Sequence, residues 1–449
     1  MDILKFGIEH VLYPYMEKRR GNRVRHYTEE LKASQNLPRE AIEELQKKKL
    51  KELLLFCADK VPAYSYLDRA EIESDPFFVL TNRVHVLGKK AFKEDSESYM
   101  AAGTPQSRLI PNVTGGSTGI PLKFYMDRYQ VEHFEAARWR GLSWHDVSYG
   151  SRCVMIWANP IDLSKAYQDR WALKERLLKN RRIISTYTLS DDKAGEYVRM
   201  INSYKPEYLY GYASSLVAFA NIIKKYGAHK LKIKLKLVCS TAETLYPEQQ
   251  ALIEEVFGCP VVGEYGAHDG GILAYGCPRG KLHIAEENLI IEVLDPVTHE
   301  PLPFGKVGTL AITDLNMSVQ PRLRYLIGDL GALCEEQCGC GLTLRVLSEL
   351  AGREDDLLVR SDGSLAHGDI IARYVRHFLQ VRQYRFVQHS RQKATLYLEA
   401  EPDEELAAKA GGGLAEALGG IDVAVEFVDE LKPSASGKMR YSIREFPLS

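Results

Sequence analysis

The 449-residue chain lacks any apolar stretch long enough to cross a bilayer, and its N-terminal run, MDILKFGIEHVLYPYMEKRRGNRVRHY, carries Asp2, Lys5 and Glu9 among its apolar residues. A spanning helix needs about 20 consecutive apolar residues, and a signal peptide needs an unbroken apolar core with a small-residue cleavage site. Neither pattern is met, which predicts a cytoplasmic protein with no membrane span. The alternation of apolar and basic residues predicts an amphipathic surface helix packed against the body, with contact to a membrane surface as the alternative. A bias of charge is lacking too, because 59 Lys and Arg nearly cancel 60 Asp and Glu. No long-range field toward nucleic acid or an anionic membrane follows, only local patches. Internal repeats and low-complexity tails are missing as well. So is a Walker-type phosphate loop, since no glycine-lysine-serine/threonine stands at the required spacing.

The residues that are present describe a globular protein, 45% apolar and 27% charged. The length exceeds one ordinary core, so one large and one small domain are expected. From about 110 to 265, short apolar runs alternate with helix-period segments. The strand candidates are RCVMIWA (152–158), PEYLYGY (206–212), LKLVCS (235–240) and PVVGEYG (260–266); the helix candidates are 193–203, 214–226 and 247–257. This predicts an α/β protein with a mainly parallel sheet covered by helices, whose ligands collect at loops after the carboxyl ends of strands. Residues 40–70 read as helical, with Leu45, Leu50, Leu53, Leu54 and Phe56 as the stripe, and 281–335 read as β-rich. Beyond GREDD (352–356) a small α+β unit is expected: a helix over 369–379, strands over 384–389, 394–400 and 422–427, and a helix over 403–418. The AGGGL run at 410–414 reads as a weak point in that last helix.

Residues 113–123 read VTGGSTGIPLK. Its glycines permit close approach of backbone amides to a ligand, and Thr114, Ser117 and Thr118 add hydroxyls, a combination suited to a polyphosphate. A flexible surface turn is the plain alternative. The string resembles the phosphate loop of the adenylate-forming superfamily, which includes acyl-CoA synthetases, peptide-synthetase adenylation domains and luciferases. The lysine common after the proline in that family stands one residue later here, as Lys123. Further strings follow in the family's order: STAETL (240–245), GEYGAHDGG (263–271), RLRYLIGDLG (322–331), GREDD and KPSASGKMR (432–440).

The resemblance implies a set of roles. Thr114, Gly115, Gly116, Ser117, Thr118 and Gly119 hold the phosphates of ATP; Thr241, Ala242, Glu243, Glu264, Tyr265 and Gly266 pack around adenine. Asp269, where the family has glutamate, helps to hold magnesium. Asp329 accepts from the ribose hydroxyls, Arg353 contacts ribose or phosphate, and Asp355 is the hinge. Lys438 is the catalytic lysine of adenylation. Tyr210, Gly211, Tyr212, Ala213 and Ser214, with Ala267 and His268, are acyl-pocket candidates. The match runs from about residue 50 to the C-terminus and is nearest the phenylacetate–CoA ligase branch, with its capsule-biosynthesis and coenzyme-adenylylating relatives. It implies a large ATP- and acid-binding domain (1–352) and a mobile C-terminal domain (353–449). The implied reaction activates a small-molecule carboxylate as its acyl-AMP and passes it to coenzyme A. An amine, a hydroxyl or a carrier protein is the alternative acceptor, and a nucleotide-binding protein that has lost catalysis is a further alternative. A homodimer is compatible with all of these.

Four of the eight cysteines, Cys57, Cys153, Cys239 and Cys259, sit among apolar neighbours and read as small buried hydrophobes. The others cluster. Cys277 and His283 in CPRGKLH, with Cys338 and Cys340 in a CGCG turn, make a Cys₃His set suited to a tetrahedral, structural zinc. Cys334 is a substitute ligand or a bystander, and free thiols are the alternative reading.

Overall fold

The computed structural model describes residues 3–113, 122–157, 173–354, 357–375, 377–378, 380–432 and 441–446. The chain forms two compact units, the first of Met1–Ile291, Ile312–Ile327 and Cys334–Ser348, the second of Glu292–Ala311, Gly328–Leu333 and Glu349–Ser449.

The strands in chain order are β1 (Ile110–Val113), β2 (Lys123–Met126), β3 (Cys153–Trp157), β4 (Arg181–Ser185), β5 (Tyr208–Tyr212), β6 (Leu237–Thr241), β7 (Val261–Ala267), β8 (Gly271–Gly276), β9 (Leu282–Ile284), β10 (Leu289–Leu294), β11 (Gly308–Asp314), β12 (Tyr325–Cys334) and β13 (Val346–Arg353). Among the described residues, β1 and β2 form a separate antiparallel hairpin, and the rest make an eleven-stranded sheet ordered β10-β11-β12-β13-β9-β8-β7-β6-β5-β3-β4. The pairs from β4 through β3, β5 and β6 to β7 are parallel. From β7 through β8 and β9 to β13 they are antiparallel. The expected parallel sheet therefore occupies one half of a mixed one.

In that half β3, β5 and β6 are buried almost throughout, as expected of strands covered by helices, while β4 at the edge is half-buried. The covering helices carry apolar residues at helical spacing: Ala194, Tyr197, Val198 and Ile201 in Ala194–Tyr204, and Leu216, Phe219, Ala220 and Ile223 in Ala213–Tyr226. With Ile253 and Val256 of the helix Pro247–Phe257 they close one core over β3, β5 and β6. At Gly211 a Cβ would stand 2.7 Å from the Ile156 carbonyl oxygen, so the close approach of β3 and β5 requires glycine. The helix expected over 40–70 runs only from Arg39 to Lys60. It stops because Val61 precedes Pro62, and the proline ring forces its predecessor out of the helical region; Val61 is extended. Its buried face is Ile42, Gln46, Leu50, Leu53, Leu54 and Cys57, so Leu45 and Phe56 flank the stripe rather than form it.

The second unit contains β14 (Leu357–Val359), β15 (Leu365–His367), β16 (Gln383–Gln388), β17 (Lys393–Glu399), β18 (Asp422–Val428) and β19 (Ser442–Arg444). The last four form a sheet ordered β18-β17-β16-β19 over a core of Ile371, Phe386, Leu396, Leu398, Leu406 and Leu414. The helix Glu404–Ala417 passes unbroken through its glycines. Gly413 answers a packing demand: a Cβ there would overlap the Tyr374 ring, whose hydroxyl donates to the Lys409 carbonyl at 3.0 Å. The helix Asp369–Val375 covers the first part of the stretch expected to be helical over 369–379.

Candidate functional site

The carboxyl ends of three neighbouring parallel strands bring the predicted adenine and acyl segments together. Register pairs Tyr212 with Thr241, and Thr241 with Glu264. The carboxylate of Glu264 is buried and accepts from Tyr210 Oη at 2.7 Å, from Arg138 Nε at 3.0 Å and from Thr241 Oγ1 at 3.3 Å. Burial works against the Arg138 charge, but Glu264 and then Glu135 beside it more than offset this and hold the guanidinium well above its ordinary range. Glu264 thus fixes the row, while Tyr265, Gly266 and Ala267 complete β7 across a register shift between Tyr265 and Gly266. Ala213 and Ser214 open the helix Ala213–Tyr226, and the Ser214 amide donates to Glu243 Oε2 at 2.7 Å, placing a carboxylate at a positive helix end. Between them Ala242 adopts φ +66°, a left-handed conformation that costs an L-residue about 1 kcal/mol and is concentrated at functional loops. Trp157, at the end of β3, stacks on Tyr212 with centroids 4.1 Å apart and on Tyr210 at 5.7 Å.

Asp269 follows β7 and is buried. Its Oδ2 accepts from Tyr325 Oη at 2.9 Å and lies 3.7 Å from Lys89 Nζ, while its backbone oxygen accepts from Arg322 Nη2 at 2.9 Å. Burial raises its pKa, yet Lys89, Arg322 and the Tyr325 hydroxyl prevail and hold the carboxyl below its usual value, so it is ionised at neutral pH. It offers one hard oxygen of the six that magnesium takes, which fits a cation bound mainly through phosphate and water oxygens. Arg322 is fully buried between Phe124, Tyr325 and Phe92, 4.8, 5.5 and 5.4 Å from the ring centroids. Its Nε and Nη1 find no hydrogen-bond partner among the described residues.

The strands flanking the glycine and hydroxyl motif reach this same corner. Phe124 of β2 covers Arg322, and Asn112 of β1 pairs its Oδ1 with His268 Nε2 at 2.5 Å. Thr114, Gly115, Gly116, Ser117, Thr118 and Gly119, with Asp355 and Lys438, lie outside the described residues. Lys123 opens β2 and is exposed. In the second unit, Arg353 Nη1 meets Asp329 Oδ1 at 2.8 Å, so the two residues expected at the ribose are adjacent there. Lys89, Arg138, Trp157 and Arg322 escaped the sequence reading, because each acts through a partner far along the chain (126 residues away for Arg138 and Glu264) that no local pattern marks.

The Cys/His group assembles. The ligating atoms of Cys277, His283, Cys338 and Cys340 all lie within 4.8 Å of one another. Cys277 Sγ is 3.7 Å from Cys338 Sγ, and Cys340 Sγ is 3.3 Å from His283 Nε2. A tetrahedron with bonds of about 2.3 Å to sulfur has edges of about 3.8 Å, close to these separations. His283 Nδ1 lies 2.8 Å from the Leu344 carbonyl and must donate to it, leaving the Nε2 lone pair facing the sulfurs, as in histidine metal sites. Burial lowers the His283 pKa and favours the neutral ligand form. Burial and the neighbouring thiols push Cys338 up to about 11, so its thiol gives up its proton only to a cation bound among the sulfurs. Gly339, at φ +67°, makes the turn that aims both sulfurs inward. Cys334, at the end of β12, is not one of the four.

No protein-family model matches the chain. It is similar to a phenylacetate–coenzyme A ligase of Thermus thermophilus, 27% identical over 334 residues, 72% of this chain and 73% of that protein. Protein CapK of Staphylococcus aureus is 24% identical over 347 residues, 75% of each chain. Among solved structures, 2-hydroxyisobutyryl-CoA ligase in the postadenylation state with 2-HIB-AMP superposes with a TM-score of 0.71 at 18% identity, covering 92% of this chain and 91% of that one. ATP-bound MatB from Rhodopseudomonas palustris gives 0.51 at 18% identity, covering 73% of this chain and 65% of that one. With these sequence relatives and this architecture, the chain is a homologue of the phenylacetate–CoA ligases and CapK, built on the fold of the adenylate-forming CoA ligases.

Proposed function

We propose that the chain is an AMP-forming acid–thiol ligase: it activates a small carboxylic acid with ATP as the acyl-adenylate, releases pyrophosphate, and transfers the acyl group to coenzyme A. The observation that carries this reading is the row Tyr212, Thr241 and Glu264 at the carboxyl ends of adjoining parallel strands, the position where such sheets bind nucleotides, in a chain related to CoA ligases. In this reading the 114–119 segment holds the phosphates, residues 241–243 and 264–266 hold adenine, and Asp329 with Arg353 holds the ribose. The Glu264–Arg138–Tyr210 lock keeps the adenine wall from shifting as ATP is replaced by acyl-AMP. Tyr212, Trp157 and His268 face the acid.

Attack of the carboxylate on the α-phosphorus builds negative charge on the phosphoryl oxygens. Lys438 meets that charge in the transition state, where an ammonium stabilises more than it does in the ground state. Asp269 is the residue that would hold magnesium, which supplies charge neutralisation on the departing pyrophosphate. Asp355 is the hinge at which the domain of residues 353–449 turns between the two half-reactions, taking Lys438 away before thiol attack. The Cys277, His283, Cys338 and Cys340 group would hold zinc with every position filled by protein. Such a zinc is structural, tying the segment after β8 to the turn before β13. The first half-reaction draws on ATP and the second on coenzyme A, both co-substrates of the cell interior, which supports a cytoplasmic setting.

The test is Lys438→Ala, assayed separately for acid-dependent ATP–pyrophosphate exchange and for thioester formation from a supplied acyl-AMP, across aryl, short-chain and amino acids. Exchange is expected to fall at least about 100-fold while thioester formation is largely spared. Normal exchange in the variant would end the assignment of Lys438, and pyrophosphate release that responds to amines but never to coenzyme A would end that of the acceptor.

A further inference from the structure

The first eighteen described residues are helical throughout: Ile3–Gly7, a π-turn over Ile8–Leu12, and Tyr13–Arg20, closed by Gly21 at φ +67°. At about 1.5 Å per residue this is a rod about 27 Å long. One side of it is fastened to the body. Lys5 Nζ donates to Glu207 at 2.9 Å, Ser148 Oγ donates to Glu9 at 3.1 Å, and the Tyr13 and Tyr149 rings meet at 4.6 Å. Ile8 is buried against Gly150, where an added Cβ would stand 3.0 Å from it, and Glu17 is buried under Arg25.

The opposite side carries an unusual load of apolar surface. Ile3, Leu4, Val11 and Tyr15 are 85, 47, 63 and 59% exposed, with Phe6 beside them at 45%. Val11, Tyr15 and Lys18 recur at helical spacing and form one stripe, with Ile3, Leu4 and Phe6 exposed on the turn before the π-turn. That stripe ends in three consecutive exposed cations, Lys18, Arg19 and Arg20. The acidic residues of the helical run, Glu9 and Glu17, both turn to the body, so none offsets those cations on the outer face. We infer that this helix docks the protein on an anionic membrane surface, lying in the interface with its apolar stripe inserted and Lys18, Arg19 and Arg20 against lipid phosphates.

The arrangement of charge decides against a second copy of the chain as the occupant. An antiparallel helix pair centred on Val11 sets Leu4 against Lys18, apolar against charged. A parallel pair sets Lys18 against Lys18. Lipid meets both ends at once, with acyl chains for the stripe and headgroups for the cations. The binding is peripheral, since no helix among the described residues is long and apolar enough to cross a membrane.

The test uses the full chain and sedimentation with vesicles of phosphatidylcholine, with and without phosphatidylglycerol, at low and high salt. Binding to the anionic vesicles is expected, weaker at high salt. Val11→Glu with Tyr15→Glu is expected to abolish it. Replacing Lys18, Arg19 and Arg20 by glutamine should weaken it about 100-fold, from about 1 kcal/mol per cation near an anionic surface. Val297→Glu, at another exposed valine, is the control and should bind like wild type. All the substituted side chains are exposed, so melting temperature and solution adenylation should stay unchanged. No binding to anionic vesicles at low salt overturns the proposal. So does wild-type binding in the Val11/Tyr15 variant, or a concentration-dependent dimer in light scattering that this variant abolishes.

Discussion

Removing the ion from the Cys/His cluster, or removing one of its ligands, should destabilise the first unit by an amount the chain connectivity sets. Cys277 and Cys338 are 61 residues apart. A link closing a loop of that length restricts the unfolded chain by about 4 kcal/mol at 25 °C in the chain-entropy model. For a body of a few hundred residues, where 1 kcal/mol moves the midpoint by about 2–4 °C, that is a fall of about 10 °C. The perturbations are Cys338→Ser, Cys340→Ser and treatment with a strong chelator; the readouts are metal content by elemental analysis and thermal melting. One zinc per chain is expected in the wild type and little in either serine variant, with melting lowered alike by mutation and by chelation. Cys334→Ser should keep both metal and midpoint, because Cys334 stands outside the cluster. Wild-type protein without stoichiometric metal, melting together with Cys338→Ser, would refute the reasoning.

Two further outcomes follow from the buried charges. Glu264→Gln takes from the half-buried Arg138 one of its two carboxylate partners, Glu135 remaining at 2.9 Å, and should cost about 1–3 kcal/mol in urea unfolding, whereas Arg138→Met combined with Glu264→Leu should recover most of that, because the pair is then replaced by apolar packing. His133 is buried against Tyr27 and Tyr129, and burial depresses its pKa to about 4 from 6.5. The folded state thus keeps the ring neutral while the unfolded chain protonates it. The contribution of about 3 kcal/mol is complete above pH 6.5 and drains away as pH falls toward 4. His133→Phe should flatten the stability profile in that window, and an unchanged slope would refute the assignment.

What the sequence determined by itself was whatever depends on neighbours along the chain. Short apolar runs and helix-period segments placed β3, β5, β6 and β7 and the helices between them to within a few residues, because burial of a strand or a helix face is a local pattern. The residue types and spacing of Cys277, His283, Cys338 and Cys340 marked a group of four that the fold does gather, their ligating atoms within 4.8 Å of one another. Tertiary structure decided the rest. Pairing of strands set Tyr212, Thr241 and Glu264 in one row, and only then did Arg138, on a helix 126 residues before Glu264, become its counter-charge. Asp269 carries the same letter in any context, but Lys89, Tyr325 and Arg322 keep it ionised inside the protein. The run of glycines at 411–413 reads as a weak point along the chain, yet at Gly413 the Tyr374 ring takes the space a side chain would fill. Long-range electrostatics and close packing depend on distances the fold creates, and those distances are written in no single stretch of the chain.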